Sequence, residues 1–84
     1  MVEAKDIREL LKGVEGVSAI ADSIGEGEDL FERGLCSFGS VQLMLGLEER
    51  YGVEFPDHLL NRRSFSTIAV IRETVAGLVV PAAA

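Results

Sequence analysis

Apolar residues in this chain recur at helical spacing, with no run of strict strand alternation. Ile7, Leu10 and Leu11 fall at i, i+3 and i+4, while Glu3, Lys5, Asp6, Arg8, Glu9 and Lys12 cover the other faces, so the spacing predicts a first helix from Val2 to Lys12. Ser37 to Tyr51 reads as the strongest helix. Leu43, Met44, Leu47 and Tyr51 form one stripe spaced for a core, and Phe38, Val41 and Leu45 form a second. One small core has no obvious room for both, so the second stripe is either a fully wrapped face or a surface for a partner. Gly52 ends this helix. Pro56 follows an extended link and opens a short helix through Leu60. Ser64 or Ser66 is the expected cap of a last helix from Thr67 to Leu78, which buries Ile68, Ile71, Val75 and Leu78. Residues 79–84, with Pro81 and the closing alanines, read as a frayed tail. The expected fold is all-α: a small four-helix bundle of three long helices and one short one, in a single domain over residues 1–84.

Between the first two helices lies a long connection, Gly13 to Arg33, rich in glycine and acids. A structureless loop of about 20 residues is unusual in a compact domain, so the segment must be partly helical or pinned. Ile20, Ile24, Leu30 and Phe31 are the expected pins, and Ser18 to Ile24 the expected helical turn.

Composition narrows the partners. Fourteen acids against eight bases give a formal charge of −6, which repels phosphate backbones and excludes nucleic acid as a first reading. The longest charge-free stretch, Gly34 to Leu47, is shorter than the about 20 residues of a membrane span. A single cysteine, Cys36, leaves no internal disulfide, and no segment resembles a signal peptide. The expected setting is a reducing cytoplasm, and the expected state a monomer.

Intrinsic catalysis is not expected. His58 is the only histidine and has no metal-spaced partner, so it reads as a solvated residue of the short helix. A Cys36/His58 nucleophile pair would need an orienting third group and an enclosing cleft. Leu35 stands where a hydrolase nucleophile elbow needs its first glycine. Ser37 stands where the acidic connection meets the strongest helix. Its oxygen could cap that helix, or it could carry a phosphate stabilised by the free N–H groups and the dipole; the position suits both.

Four segments together carry a family resemblance. Asp29-Leu30-Phe31-Glu32-Arg33-Gly34-Leu35-Cys36-Ser37-Phe38 is similar to the loop and attachment motif of acyl and peptidyl carrier proteins. Val41 to Glu49 resembles their second helix, Tyr51-Gly52-Val53-Glu54-Phe55-Pro56-Asp57 their aromatic-Gly-Val-x-Ile-Pro segment, and Phe65-Ser66-Thr67-Ile68 the start of their last helix. The resemblance implies an acyl-carrier-protein-like bundle. It implies that Ser37 carries 4′-phosphopantetheine, donated from coenzyme A by a phosphopantetheinyl transferase. The arm would hold an acyl or aminoacyl group as a thioester for partner enzymes. It also implies that partners read Phe38, Val41, Gln42, Leu45, Glu48 and Glu49 on the second helix, together with Phe65, and that docking surfaces opposite the acids are basic.

The sequence departs from the family at Cys36, where aspartate is usual and helps the transferase recognise the carrier. Cys36 reads as a small, half-buried apolar residue; a reactive thiol is the alternative. Gly39 and Gly46 interrupt the helix at a cost of about 1 kcal/mol each relative to Ala, Gly46 permitting close approach of either a second helix or a partner. Ser37 to Leu43 and Leu59 to Phe65 look closer to D-alanyl carriers and stand-alone aminoacyl carriers than to fatty-acid carriers. That branch implies an amino acid:[carrier protein] ligase or other acyl-loading enzyme as partner, and a downstream acceptor enzyme. The rival reading is an unmodified helical adaptor that has lost the prosthetic group.

Overall fold

A computed structural model describes residues 2–79. It contains three α-helices, α1 (Ala4–Leu11), α2 (Ser37–Tyr51) and α3 (Ile68–Leu78), with 3₁₀ turns at Ser18–Ile20, Asp57–Leu59 and Arg62–Phe65. The described residues are thus all helix, turn and loop. The expected short fourth helix is a pair of 3₁₀ turns. Pro56 is extended (φ −69°, ψ 158°) and precedes the first turn instead of opening a helix, and Leu60 at ψ 68° stops it. Of the expected tail, all but Val79 lies outside the described residues.

Ile7 and Leu11 of α1, Leu43 and Leu47 of α2, and Ile68, Ile71 and Val75 of α3 are fully buried and form the centre of the core. Phe55 and Phe65 close its lower end with ring centroids 5.3 Å apart. Gly46 settles as a helix-packing glycine: a Cβ there would lie 3.3 Å from Leu10 Cδ2 of α1. The last helix is capped by neither expected serine. Thr67 Oγ1 accepts from the Val70 N–H at 3.0 Å, while Ser64 is buried and its N–H donates to Asn61 Oδ1. Ser66 instead closes the preceding turn, its hydroxyl donating to the Arg63 carbonyl.

The long connection is pinned along its whole length. Ile24 and Leu30 are buried as expected, and Ile20 and Phe31 half-buried, but Val14, Val17, Ala21 and Leu35 are buried too. Arg8 Nη1 reaches back from α1 to the carbonyls of Ala21 (3.0 Å) and Ile24 (2.6 Å). The Leu30 N–H donates to the Ser66 carbonyl (2.7 Å) and the Ala69 N–H to the Glu26 carbonyl (3.1 Å), which stitches the connection to the start of α3. Arg72 adds an ion pair to Glu26 at 2.9 Å. Glu28 accepts from the Gly25 N–H (2.6 Å) and from Arg33 (2.7 Å), which holds its carboxyl below the usual glutamate range, the backbone bond first.

Candidate functional site

The start of α2 is set by backbone meeting backbone. Gly16 (φ 96°) and Gly34 (φ 126°) cross face to face, so a Cβ on Gly34 would stand 2.5 Å from the Gly16 carbonyl oxygen, and a Cβ on Gly16 would collide with the Gly34 carbonyl. Only glycine combines this conformation with this closeness. One helical turn further on, a Cβ on the buried Gly39 would lie 2.5 Å from the Glu15 carbonyl oxygen and 3.2 Å from Val14 Cγ1. The first connection thus clamps the segment Leu35-Cys36-Ser37 from behind.

Within this clamp Cys36, not Ser37, is the N-cap. Its backbone is extended (φ −106°, ψ 175°) and its Sγ accepts from the Gly39 N–H at 3.3 Å. The cap reading of Ser37 is therefore corrected: Ser37 is the first helical residue, one position too late to serve its own turn. Cys36 is also exposed instead of half-buried, because capping turns its side chain toward the helix end and away from the core. Ser37 is exposed, and among the described residues its hydroxyl makes no hydrogen bond; only its carbonyl is used, accepting from Ser40 Oγ at 2.7 Å. No acid occupies the first turn of α2. A free hydroxyl at an uncompensated helix N-terminus suits attachment of an anionic group.

Ser37 opens onto a groove of about 660 Å³ between α2 and the second connection. Phe31, Leu35, Met44 and Phe65 give it apolar lining, and Leu60, Asn61 and Arg62 line it from the segment between α2 and α3. The Arg62 guanidinium carbon lies 4.4 Å from the centroid of the Phe31 ring.

The second stripe of α2 is not core. Phe38, Val41 and Leu45 are 61%, 49% and 54% exposed. Glu49 is exposed beside them. The other residues grouped with them have different places. Gln42 Oε1 accepts from the Glu15 N–H (2.9 Å), and Glu48 Oε2 accepts from the Phe55 N–H (2.9 Å), so both side chains tie α2 to its flanking connections. Phe65 is only 5% exposed because it stacks on Phe55, and it meets the groove from beneath instead of standing on the surface. Two residues of this region were not singled out by the sequence. Leu60 is exposed across the groove from α2, and Arg62 overhangs Phe31. An apolar residue beside a solvated turn was the available signal for Leu60; nothing local marks Arg62. His58 is exposed on its turn.

A family model described as a phosphopantetheine attachment site matches residues 5–76, nearly all of the described chain. The chain belongs to the phosphopantetheine carrier proteins. Carriers of this family are not enzymes; they present a group held on the prosthetic arm. This carrier is 51% identical to an aminoacyl carrier protein of Agrobacterium fabrum over 82% of this chain and 83% of the relative. In the solved structures it resembles a chain in a crystal structure of an engineered Bradyrhizobium japonicum glycine:[carrier protein] ligase complexed with carrier protein from Agrobacterium tumefaciens and ATP. The TM-score is 0.83 at 47% identity, covering 89% of this carrier and 97% of that chain. A solution structure of a protein from Agrobacterium tumefaciens matches at TM-score 0.69 and 47% identity over 88% of this carrier and 89% of that chain. Among the described residues, no helix of the carrier is long and apolar enough to cross a membrane.

Proposed function

We propose that Ser37 bears 4′-phosphopantetheine and that the carrier holds an aminoacyl group on it, loaded by an amino acid:[carrier protein] ligase. The observation that carries this reading is the Ser37 hydroxyl, exposed and free on the first turn of α2 because Cys36 has taken over the capping. In the modification, the Ser37 oxygen forms a bond to the phosphorus of the coenzyme A pyrophosphate that carries the pantetheine. The bond between that phosphorus and the nucleotide half breaks, and the hydroxyl proton passes to a base of the transferase. The arm supplies a thiol that holds the carried group as a thioester. The aminoacyl assignment is supported by the aminoacyl relative and by the ligase complex of the similar structure. The cytoplasm, where coenzyme A and a ligase would meet the chain, is the fitting compartment, and a lone cysteine is compatible with it.

Docking is proposed to use Phe38, Val41, Leu45 and Glu49, with Leu60 across the groove. Gln42, Glu48 and Phe65 act from behind, by holding that surface in place.

The test is to treat the full chain with a broad-specificity transferase and coenzyme A, then with the ligase, ATP and glycine or alanine, and to follow intact mass. One phosphopantetheine should be gained, then one amino acid residue, and Ser37→Ala should gain neither. A gain that survives Ser37→Ala would overturn the attachment site. A modified carrier that accepts only aliphatic acyl groups would overturn the aminoacyl branch. Leu45→Glu should slow loading about tenfold or more while the helical signal stays unchanged, since an exposed residue at a docking centre affects binding more than folding.

A further inference from the structure

Among the described residues Arg62, like its neighbour Arg63, has no carboxylate partner, in a chain where acids outnumber bases, 14 to 8, but only Arg62 of the two lines the groove. Arg33, Arg50 and Arg72 each end on a carboxylate oxygen at 2.7–2.9 Å. Arg62 reaches none among the described residues and lies instead over Phe31, 4.4 Å from its centroid. The Phe31 backbone is fixed in turn, its N–H donating to Asp29 Oδ1 at 2.8 Å. Over the ring the guanidinium meets carbon, and among the described residues its N–H groups have no hydrogen-bond partner. They belong to a side chain lining the same groove as Ser37. On the Ser37 side the capping residue is a cysteine and the first turn of α2 has no acid.

We propose that Arg62 is a phosphate clamp for the prosthetic group. Its guanidinium donates to the non-bridging oxygens of the phosphodiester that joins Ser37 to the arm. This rests on the attachment reading above. Arginine suits the task because its planar fork matches two phosphate oxygens and is never deprotonated in the working range. The consequence is directional: the first bonds of the arm are drawn across the groove toward Leu60 and Asn61, instead of leaving Ser37 freely into solvent. Exposure keeps the contact weak enough to open when a partner takes the arm.

The experiment uses the isolated carrier before and after conversion, with no partner present. Intact mass first establishes the modification. The Arg62 Nε–H resonance is then compared between unmodified and modified carrier, and the ³¹P resonance between modified wild type, Arg62→Gln, Arg62→Lys and Arg63→Gln. The Nε–H signal should shift on modification. The ³¹P signal should move in Arg62→Gln, less in Arg62→Lys and not in Arg63→Gln, and added salt should erase the difference. A mass gain with an unmoved Nε–H signal and the same ³¹P resonance in wild type and Arg62→Gln overturns the clamp alone. No mass gain at Ser37 overturns the attachment reading and the clamp with it.

Discussion

Two connections flank Ser37, and they differ in how far their bonds reach along the sequence. Neither contains an α-helix, and each is folded into turns. The one joining α1 to α2 adds to its local turns a set of bonds across the sequence: Arg8 to Ala21 and Ile24, Glu15 to Gln42, Leu30 to Ser66, and Glu26 to Ala69. The one joining α2 to α3 is bonded chiefly to itself. Leu59 bonds to Pro56, Leu60 to Asp57, Asn61 to His58 and Ser64 to Asn61, each three residues away, and its anchors lie at its ends: the Phe55 and Phe65 rings, the Phe55 N–H on Glu48 Oε2, and the Ser66 carbonyl that accepts from the Leu30 N–H. A segment held by contacts distant in sequence opens only with the rest of the fold, whereas one held by local turns opens alone. Ser37 thus stands on the firm side of its groove and faces the yielding side. That arrangement fixes the pivot while leaving the opposite wall free to adjust to whatever lies in the groove.

The sharpest way to break this comparison is to disturb the backbone crossing. Gly34→Ala adds strain at φ 126° and a collision with the Gly16 carbonyl, and should cost more than about 4 kcal/mol in urea unfolding, the sum of a backbone and an overpacking penalty. Leu60→Ala in the other connection should stay within about 0.5 kcal/mol, as exposed positions do. Equal losses would show that the two connections are equally firm. Next in size, Leu30→Ala empties a fully buried position and should cost about 3 kcal/mol by the same measurement. Arg8→Gln strips donors from two carbonyls of the first connection and should cost about 1–2 kcal/mol. It should also speed amide exchange at Ile24 without changing it at Ser64.

The smallest effect comes from acid. The Glu28 carboxyl titrates below its unfolded value because of the Gly25 N–H and Arg33. Its contribution is therefore present above the unfolded glutamate value and lost as pH falls through the lowered one. Wild type and Glu28→Gln should differ in melting temperature near neutrality and converge in acid. The difference should be small, since the group is solvated.

The helices could be read because their signals are local. The ends of α2 at Ser37 and Tyr51 follow from apolar spacing and from Gly52. The first connection was harder, since Gly13 and Gly16 break the helix pattern. Yet Leu11, Val14, Val17, Ala21 and Ile24 continue a three-and-four spacing through those glycines, and all are buried. The signal for the missed pins was thus present in the sequence. It survives because turns that wind with roughly helical pitch return side chains to one face without helical hydrogen bonding. The caps were misplaced, at Cys36 instead of Ser37 and at Thr67 instead of Ser64 or Ser66. Neighbouring residues able to cap compete, and tertiary packing chooses between them. Ser37 was singled out by its motif, and the structure shows its hydroxyl exposed. The groove and Arg62 were not singled out, because a cavity belongs to residues brought together from three segments.

The crossing of Gly16 and Gly34 also limits how this sequence can drift. Residues in contact usually accommodate one another, a larger side chain on one being answered by a smaller one on its neighbour. Here each glycine is confronted by the main chain of the other, so neither has a side chain to give up. A substitution at either site has no compensating substitution at its partner. Two positions nearly twenty residues apart are therefore joined in space yet have no allowed joint change, and any descendant that keeps Ser37 in its present place must keep both.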